Sequence, residues 1–178
     1  MKKILLIIAL LISGLGLNAQ SATIGDLKFT VTSETPAECK VSGYSGEPTD
    51  VTIPSTVTIS GKEYTVTSIG NYAFYGYSSL TSIELPSGVT SIGDMAFRDC
   101  YKLTSIEIPS GVTSIGIYAF EDCFSLTSID FGENSQLTSI GNSAFEYCYS
   151  LTSIEIPSSV TSIGDKAFYH CNSLTSIE

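Results

Sequence analysis

Four cysteines recur at one position of a repeated sequence, and their thiols are the first side chains to consider for chemistry. They are Cys100, Cys123, Cys148 and Cys171, while a fifth, Cys39, lies apart. A zinc site needs four ligands about 2.3 Å from one point, whereas equivalent positions of four stacked coils spread over roughly 15 Å. We therefore expect no metal site and predict a column of buried thiols that act as small hydrophobes. A disulfide between neighbouring coils, or between a fifth thiol and another molecule, stays open.

Acidic side chains form a second recurring set, one on each predicted strand, and each acid follows a serine two residues earlier. Like charges in register on neighbouring strands destabilise a sheet. A basic protein segment or calcium would offset that cost, and a solvated face is the alternative interpretation. The candidate partner-binding strand face comprises Ser82, Glu84, Ser105, Glu107, Ser128, Asp130, Ser153 and Glu155, and Glu178 continues the acidic row.

Aromatic residues cluster around another part of each repeat, at positions that vary from copy to copy. Tyrosine offers a large, rigid, amphipathic contact of the kind enriched at protein interfaces and suited to stacking on sugar rings. The alternative interpretation is that these rings pack along one another and shield the turns. The candidate aromatic face comprises Tyr75, Tyr101, Tyr118, Phe124, Tyr147, Tyr149 and Tyr169.

No set of residues in the sequence favours catalysis. His170 is the only histidine, and no recurring serine or cysteine with an orienting acid accompanies it. Phosphate-binding glycine loops, paired-histidine metal motifs and the GxSxG motif do not occur in the sequence. We therefore predict a protein that is not an enzyme, with no catalytic residues, no metal ligands and no cofactor.

The elements that must position these side chains are copies of one 23-residue unit, which reads LTSIEIPSGVTSIGIYAFEDCFS in its clearest form. A fixed period of this length marks a solenoid, in which each unit is one coil stacked on the last. One copy is two residues longer, because FGENSQL replaces the usual IPSGV at a turn. The predicted coils are a divergent one at 51–79, then 80–102, 103–125, 126–150 and 151–173, and a truncated one at 174–178.

Within a coil, the alternation of apolar and polar residues assigns each side chain to a face. Ile106 and Ile108 face inward on a strand, and the residues between them face outward. Val112 and Ile115 form a second inward pair after a turn, and a short helical turn then returns the AFxxC residues to the core. The predicted structural core ladder is Phe97, Phe120, Phe145, Phe168, Cys100, Cys123, Cys148 and Cys171.

Residues 1–19 have the composition of a secretory signal peptide. Two lysines precede an apolar run from Ile4 to Ile12, and small residues lead to Ala19. The run is too short to span a bilayer, so we predict cleavage after Ala19 and not a membrane anchor. Residues 20–50 combine alternating apolar positions with turn-forming residues, and we expect a β-hairpin cap over the open end of the first coil.

The charge of the chain narrows the classes of partner. It carries 8 Lys and Arg against 18 Asp and Glu, and two of the lysines leave with the predicted signal peptide. Such an acidic surface repels phosphate backbones and anionic lipid headgroups, so we expect neither nucleic acid nor membrane binding. An extracellular protein with a basic surface, a glycan or a cation such as calcium remains as a partner.

The repeated motif resembles the BspA-like class of bacterial leucine-rich repeats. The strand motif LxxIxI is followed by IPxxVTSIGxxAFxxC, and AFxxC recurs in one register at Ala96, Ala119, Ala144 and Ala167. The first coil departs from this pattern, with Tyr77 in place of cysteine. The resemblance covers about residues 23–178 and implies a leucine-rich repeat solenoid, a curved right-handed stack with an N-terminal β cap.

The same resemblance implies a function. Members of this family are secreted or displayed on the surface of bacteria and some mucosal protists, and several are implicated in binding host matrix proteins or other microbes. We therefore expect a secreted or cell-surface module that binds an extracellular protein. The alternatives are a spacer that displays a further C-terminal domain and a glycan-binding solenoid that uses the repeated Thr-Ser hydroxyls. The uncovered apolar end at 174–178 predicts a fragment or end-to-end pairing.

Overall fold

The computed structural model describes residues 20–177 of the 178-residue chain. The predicted signal peptide and Glu178 lie outside the described residues. The described chain consists of short strands joined by turns. The strands are β1 (Ser21–Ile24), β2 (Leu27–Glu34), β3 (Ala37–Tyr44), β4 (Asp50–Thr52), β5 (Thr56–Ile59), β6 (Lys62–Ile69), β7 (Ser82–Glu84), β8 (Ser91–Ile92), β9 (Ser105–Glu107), β10 (Ser114–Ile115), β11 (Ser128–Asp130), β12 (Ser139–Ile140), β13 (Ser153–Ile154), β14 (Ser162–Ile163) and β15 (Ser176–Ile177).

The first three strands form an antiparallel unit in the region where the sequence predicts a hairpin. β1 pairs with β2 and β2 with β3, and β3 then pairs in parallel with β6 of the first coil. Phe29, Cys39 and Val41 are fully buried in the same apolar cluster as the coils. The antiparallel unit therefore shares one continuous core with the solenoid, and its role as a cap stays a prediction.

The solenoid has two columns of strands, because each coil contributes one strand to each column. The second strands, β6, β8, β10, β12 and β14, form an unbroken parallel ladder. The first strands pair as β4 with β7, β9 with β11, and β13 with β15. Ser91 is the register partner of Ser114, and Ser114 of Ser139 across the longer coil. Register partners in neighbouring coils are thus one sequence repeat apart, as in a β-solenoid. The handedness and curvature of the stack stay predictions.

The predicted short helical turn is not confirmed, because residues 20–177 contain no helix. The segment is a run of β-turns, in which the N–H of Ala96 bonds to the carbonyl three residues earlier. Met95 and Asp99 have φ angles of 53° and 62°, which an α-helix excludes and the third residue of a type II turn requires. The N–H of Phe97 bonds to the carbonyl of Ala119 in the next coil, at 2.8 Å. Hydrogen bonds between coils therefore take the place of helical ones.

Phenylalanine rings form a continuous stack through the core. The ring centroids of Phe97 and Phe120 lie 5.1 Å apart, with 11° between the ring planes, and those of Phe120 and Phe145 lie 5.3 Å apart. The stack begins at Phe74 and ends at Phe168, which is only partly buried. One ring per coil at one depth places successive rings face to face, because the coils repeat at about the spacing of strands.

A glycine follows the second strand of each coil because the backbones of neighbouring coils approach too closely there for a side chain. A Cβ added to Gly116 would lie 2.6 Å from the backbone nitrogen of Asp94 in the preceding coil. A Cβ on Gly141 would lie equally close to the carbonyl carbon of Gly116, at 2.6 Å. The recurring Ile-Gly pair is therefore required by contact between coils.

Candidate functional site

The outward side chains of the first strands form one exposed surface, which we call the strand face. Its candidate residues are exposed because the isoleucines between them, such as Ile106 with 3% exposure, pack in the core. The two-residue alternation of a strand then directs both neighbours to solvent. The exposed residues of this face are Ser82, Glu84, Ser105, Glu107, Ser128, Asp130, Ser153 and Glu155.

Two acids of the strand face stand directly opposite each other, and no base lies on the strands that carry them. Asp130 on β11 is the direct partner of Glu107 on β9, a position at which side chains lie about 5 Å apart. The strands of this face contain no lysine or arginine. The ion pairs found within residues 20–177 involve Lys62 or Arg98, which lie outside these strands. The strand face therefore keeps a net negative charge.

The amino-terminal end of the strand face is held by hydroxyl groups. The hydroxyls of Ser82 and Thr81 donate to Asp50, and that of Thr52 donates to Glu84 at 3.2 Å. The hydrogen bond from Ser82 is the largest influence that lowers the pKa of Asp50, since a donated proton favours the charged carboxylate. Asp50 therefore adds a carboxylate to the strand face at the serine position, opposite Ser82, whereas the residue opposite Glu84 is Thr52.

A groove of about 870 Å³ opens on the strand face beside the longer coil. It lies over the junction of β11 and β13, which no ladder pairs in the part of the chain that the structure describes. Residues 131–135 of the longer coil form one wall. The polar side chains that line this groove are Ser128, Asp130, Glu133, Asn134, Ser135, Ser153, Glu155 and Ser158.

Three of the candidate aromatic residues form what we call the aromatic row: Tyr101, Phe124 and Tyr149. The ring centroids of Tyr101 and Phe124 lie 4.9 Å apart, with 12° between the planes, and those of Phe124 and Tyr149 lie 5.2 Å apart. If two rings lay side by side in one plane, their centroids would be separated by a full ring width plus a van der Waals contact, which exceeds the distances found here. The rings therefore cover one another's faces and present their edges outward, which disfavours stacking of a sugar on the row.

The other candidate aromatic residues do not all join this row. The centroid of the Tyr147 ring lies 5.8 Å from that of Tyr149 and 6.3 Å from that of Tyr169. Tyr147 and Tyr169 therefore extend the row toward the last coil. Tyr75 contacts a tyrosine on its own turn. Tyr118 lies against Arg98, whose guanidinium carbon is 5.5 Å from the ring centroid. The predicted aromatic face is therefore discontinuous.

An ion pair between two turn segments is a feature that sequence reasoning missed. Arg98 Nε lies 2.9 Å from Glu121 Oε2 in the next coil, at an angle that gives charge contact without a directed hydrogen bond. Burial raises the pKa of Glu121 even though Arg98 is adjacent, because the charged form loses its hydration. Burial and the charge of Asp99 raise the pKa of Asp122 as well. The separation of Arg98 and Glu121 by one sequence period was the available signal.

All five cysteines are free and buried. Each thiol of the recurring column donates to the carbonyl of a phenylalanine in the preceding coil, as Cys123 does to Phe97 at 3.2 Å. The same Phe97 carbonyl accepts the N–H of Cys100. Burial raises the pKa of Cys100 to about 12 and that of Cys39 to about 11. These two thiols are therefore protonated at neutral pH, and a thiol in that form is a poor nucleophile.

The threonine hydroxyls of the repeated Thr-Ser pairs form hydrogen bonds within the stack. The hydroxyl of Thr113 donates to the carbonyl of Thr90 at 3.1 Å, and that of Thr127 to the carbonyl of Thr104 at 3.0 Å. Each of these hydroxyl protons is used between coils. The threonine columns therefore stabilise the stack, and they offer fewer free donors to a glycan than the sequence suggests.

The described chain shows no arrangement for metal binding. Residues 20–177 hold no group of three or more His, Cys, Asp or Glu side chains that could bind a metal ion. No helix in that range is long and apolar enough to cross a membrane. The exposed His170 packs on Tyr147, with ring centroids 5.0 Å apart.

Comparison with known proteins identifies the repeat. The family model described as BspA type leucine rich repeat region matches six copies over residues 49–175. The chain belongs to the BspA-type leucine-rich repeat family. A search of curated proteins finds no match to this BspA-type chain.

Solved structures of bacterial leucine-rich repeat proteins are similar to this BspA-type solenoid. The T. pallidum leucine-rich repeat protein is 35% identical, with a TM-score of 0.79 over 89% of this chain and 71% of that one. A leucine-rich repeat protein from Bacteroides ovatus is 40% identical, with a TM-score of 0.79 over 87% of this chain and 40% of that one. A leucine-rich cell surface protein from Faecalibacterium prausnitzii is 30% identical, with a TM-score of 0.62 over 90% and 54%. This chain thus spans about half or less of the last two.

Proposed function

We propose that this BspA-type module is secreted or displayed on a bacterial surface and binds an extracellular protein through its strand face, as an adhesin does. The observation that carries the proposal is the exposed row of acids, in which Glu107 and Asp130 stand directly opposite each other and whose strands contain no base. Such a row costs stability, and lysine or arginine side chains of a partner offset that cost. The partner is accordingly a protein with a basic surface, such as a host matrix protein or a protein of another microbe.

The proposed location has separate support. Residues 1–19 have the composition from which we predict a signal peptide that ends near Ala19, and the similar protein from Faecalibacterium prausnitzii is described as a cell surface protein. Detection of mature chain that begins at Gln20 outside the cytoplasm, by amino-terminal sequencing, would agree with this location.

The aromatic row is the second candidate surface. Its three exposed rings cross successive coils and give a protein partner a rigid apolar edge. Because these rings cover one another's faces, the row supports protein binding better than glycan binding. A spacer function remains the competing proposal from another class, and it predicts that neither surface binds anything.

The test measures binding of immobilised chain from Gln20 onward to a panel of fibronectin, fibrinogen, other matrix proteins and glycans, at low and high salt. The strand-face variant replaces four acids by their amides, at Glu84, Glu107, Asp130 and Glu155. A control variant makes the same change in charge away from that face, at Asp26, Glu38, Glu63 and Asp165.

We expect the parent and the control variant to bind one protein saturably, and the strand-face variant to lose about tenfold or more in affinity. Binding should weaken at high salt, because exposed charges are screened. Binding that the strand-face variant retains would move the site to the aromatic row. The absence of binding to every member of the panel would favour the spacer.

A further inference from the structure

The groove beside the longer coil has a preformed wall, which no other part of the strand face shares. The wall is the FGENSQL segment, whose apolar ends, Phe131 and Leu137, are 4% and 0% exposed. The N–H of Gln136 donates to a carbonyl of the preceding coil at 2.8 Å. The hydroxyl of Ser159 in the following coil donates to a carbonyl of the segment at 2.9 Å. Four attachments therefore hold this segment in place before any partner arrives.

Every charged side chain that lines this groove is an acid: Asp130, Glu133 and Glu155. One carboxylate oxygen of Asp130 accepts the N–H of Gly132 at 2.7 Å, which fixes the direction of the side chain. Serine hydroxyls surround the carboxylates. An ammonium or guanidinium group carries only hydrogen-bond donors and a positive charge, so it complements such a lining.

The volume of the groove selects among cationic ligands. A space of about 870 Å³ that is open to solvent on one side has room for a segment of several atoms lying along the surface. A single metal ion would leave most of that space unfilled, and the described residues hold no metal-binding group. An extended peptide segment with several side chains matches both the size and the charge.

We propose that this groove binds a short peptide segment of the protein partner and receives its arginine or lysine side chains between Asp130, Glu133 and Glu155. This proposal rests on the function proposed above and assigns the strongest part of the strand-face interaction to the junction of β11 and β13. The acids of the other coils then contribute longer-range attraction, whereas the groove supplies the local contacts that distinguish one basic segment from another.

The experiment uses fluorescence anisotropy of a fluorescein-labelled peptide of alternating glycine and arginine, with a glycine and glutamate peptide as its control. The groove variant carries Asp130→Asn, Glu133→Gln and Glu155→Gln. The matched variant, with the same change of three charges outside the groove, carries Asp26→Asn, Glu38→Gln and Glu63→Gln. Thermal unfolding, monitored by circular dichroism, verifies that each variant is folded.

We expect the parent and the matched variant to bind the arginine peptide saturably and with equal affinity, and the groove variant to bind about tenfold more weakly. In NMR spectra of the ¹⁵N-labelled parent, the amide chemical-shift changes caused by the arginine peptide should concentrate at residues 128–135 and 153–158. Equal weakening in both variants would show attraction to net charge alone and would overturn the proposal. Shifts spread along the whole strand face, or no saturable binding of the peptide, would overturn it too.

These outcomes are separable from those of the proposed function. If the groove variant binds a matrix protein as tightly as the parent does, while the strand-face variant loses it, the function stands and the groove proposal fails. If the arginine peptide binds in the groove but no extracellular protein is captured by the parent, the groove proposal stands and the adhesin function fails.

Discussion

Replacement of one ring in the middle of the phenylalanine stack should destabilise the solenoid more than the same change at its end. Phe120 stacks on two neighbours, with centroids 5.1 and 5.3 Å away, and it is fully buried. Phe168 stacks on one neighbour at 5.4 Å and is only partly buried. Leucine keeps most of the apolar volume at either position but removes the ring stacking.

The expected difference follows from the number of stacked pairs. An aromatic pair contributes about 0.5–1.5 kcal/mol beyond the area that it buries. Phe120→Leu therefore costs about 1–3 kcal/mol for its two pairs, and Phe168→Leu about half of that. The end position costs less for a further reason, since a terminal coil of a solenoid has one neighbour and opens more readily than an internal one.

Urea unfolding of the chain from Gln20, followed by far-ultraviolet circular dichroism, measures both variants. With a slope of about 2 kcal/mol per molar urea, Phe120→Leu should lower the midpoint by roughly 0.5–1.5 M. A double-mutant cycle with Phe97→Leu should give a coupling energy of about 0.5–1.5 kcal/mol. An equal shift for Phe120→Leu and Phe168→Leu, or a coupling energy near zero, would refute the stacking argument.

Two further predictions concern titratable groups. Under a thiol reagent at pH 8, Cys171 should be labelled first, because it lies in the last complete coil and is 9% exposed, whereas Cys100 is 0% exposed. Mass spectrometry should find Cys100, with a pKa of about 12, labelled only after unfolding. Equal native labelling of the two would contradict this. Asp122→Asn should raise the urea midpoint at pH 7, because the raised folded-state pKa of Asp122 means that its charge destabilises the fold above the carboxyl range. That gain should shrink as the pH falls below 4, where the acid is protonated in both states, and a gain that is larger at low pH would show that the argument is wrong.

The strand face was predictable from the sequence, because two periods decide it. The two-residue alternation of a strand places Ile106 in the core and Glu107 outside. The 23-residue period places Glu107 beside Asp130, since register partners are one repeat apart. Both periods can be counted along the chain, and neither depends on how a side chain meets a distant neighbour.

The AFxxC segment was not predictable in the same way. Its spacing resembles one turn of a helix, but every second N–H group bonds to the next coil, and Met95 and Asp99 adopt left-handed backbone angles. A helix satisfies its own backbone, whereas this segment is satisfied only when another coil is stacked on it. The choice between the two conformations therefore belongs to the stack and not to the segment.

The sequence by itself determined the coil period, the inward and outward positions, and the columns of cysteine, phenylalanine and acid, because each repeats with the chain. Only the tertiary structure decided what each column does. It directed the faces of the Tyr101 and Phe124 rings toward each other, joined Arg98 to Glu121, and turned the two extra residues of FGENSQL into the wall of a groove. The reason is that these features depend on distances and angles between coils, which the composition of a single coil does not contain.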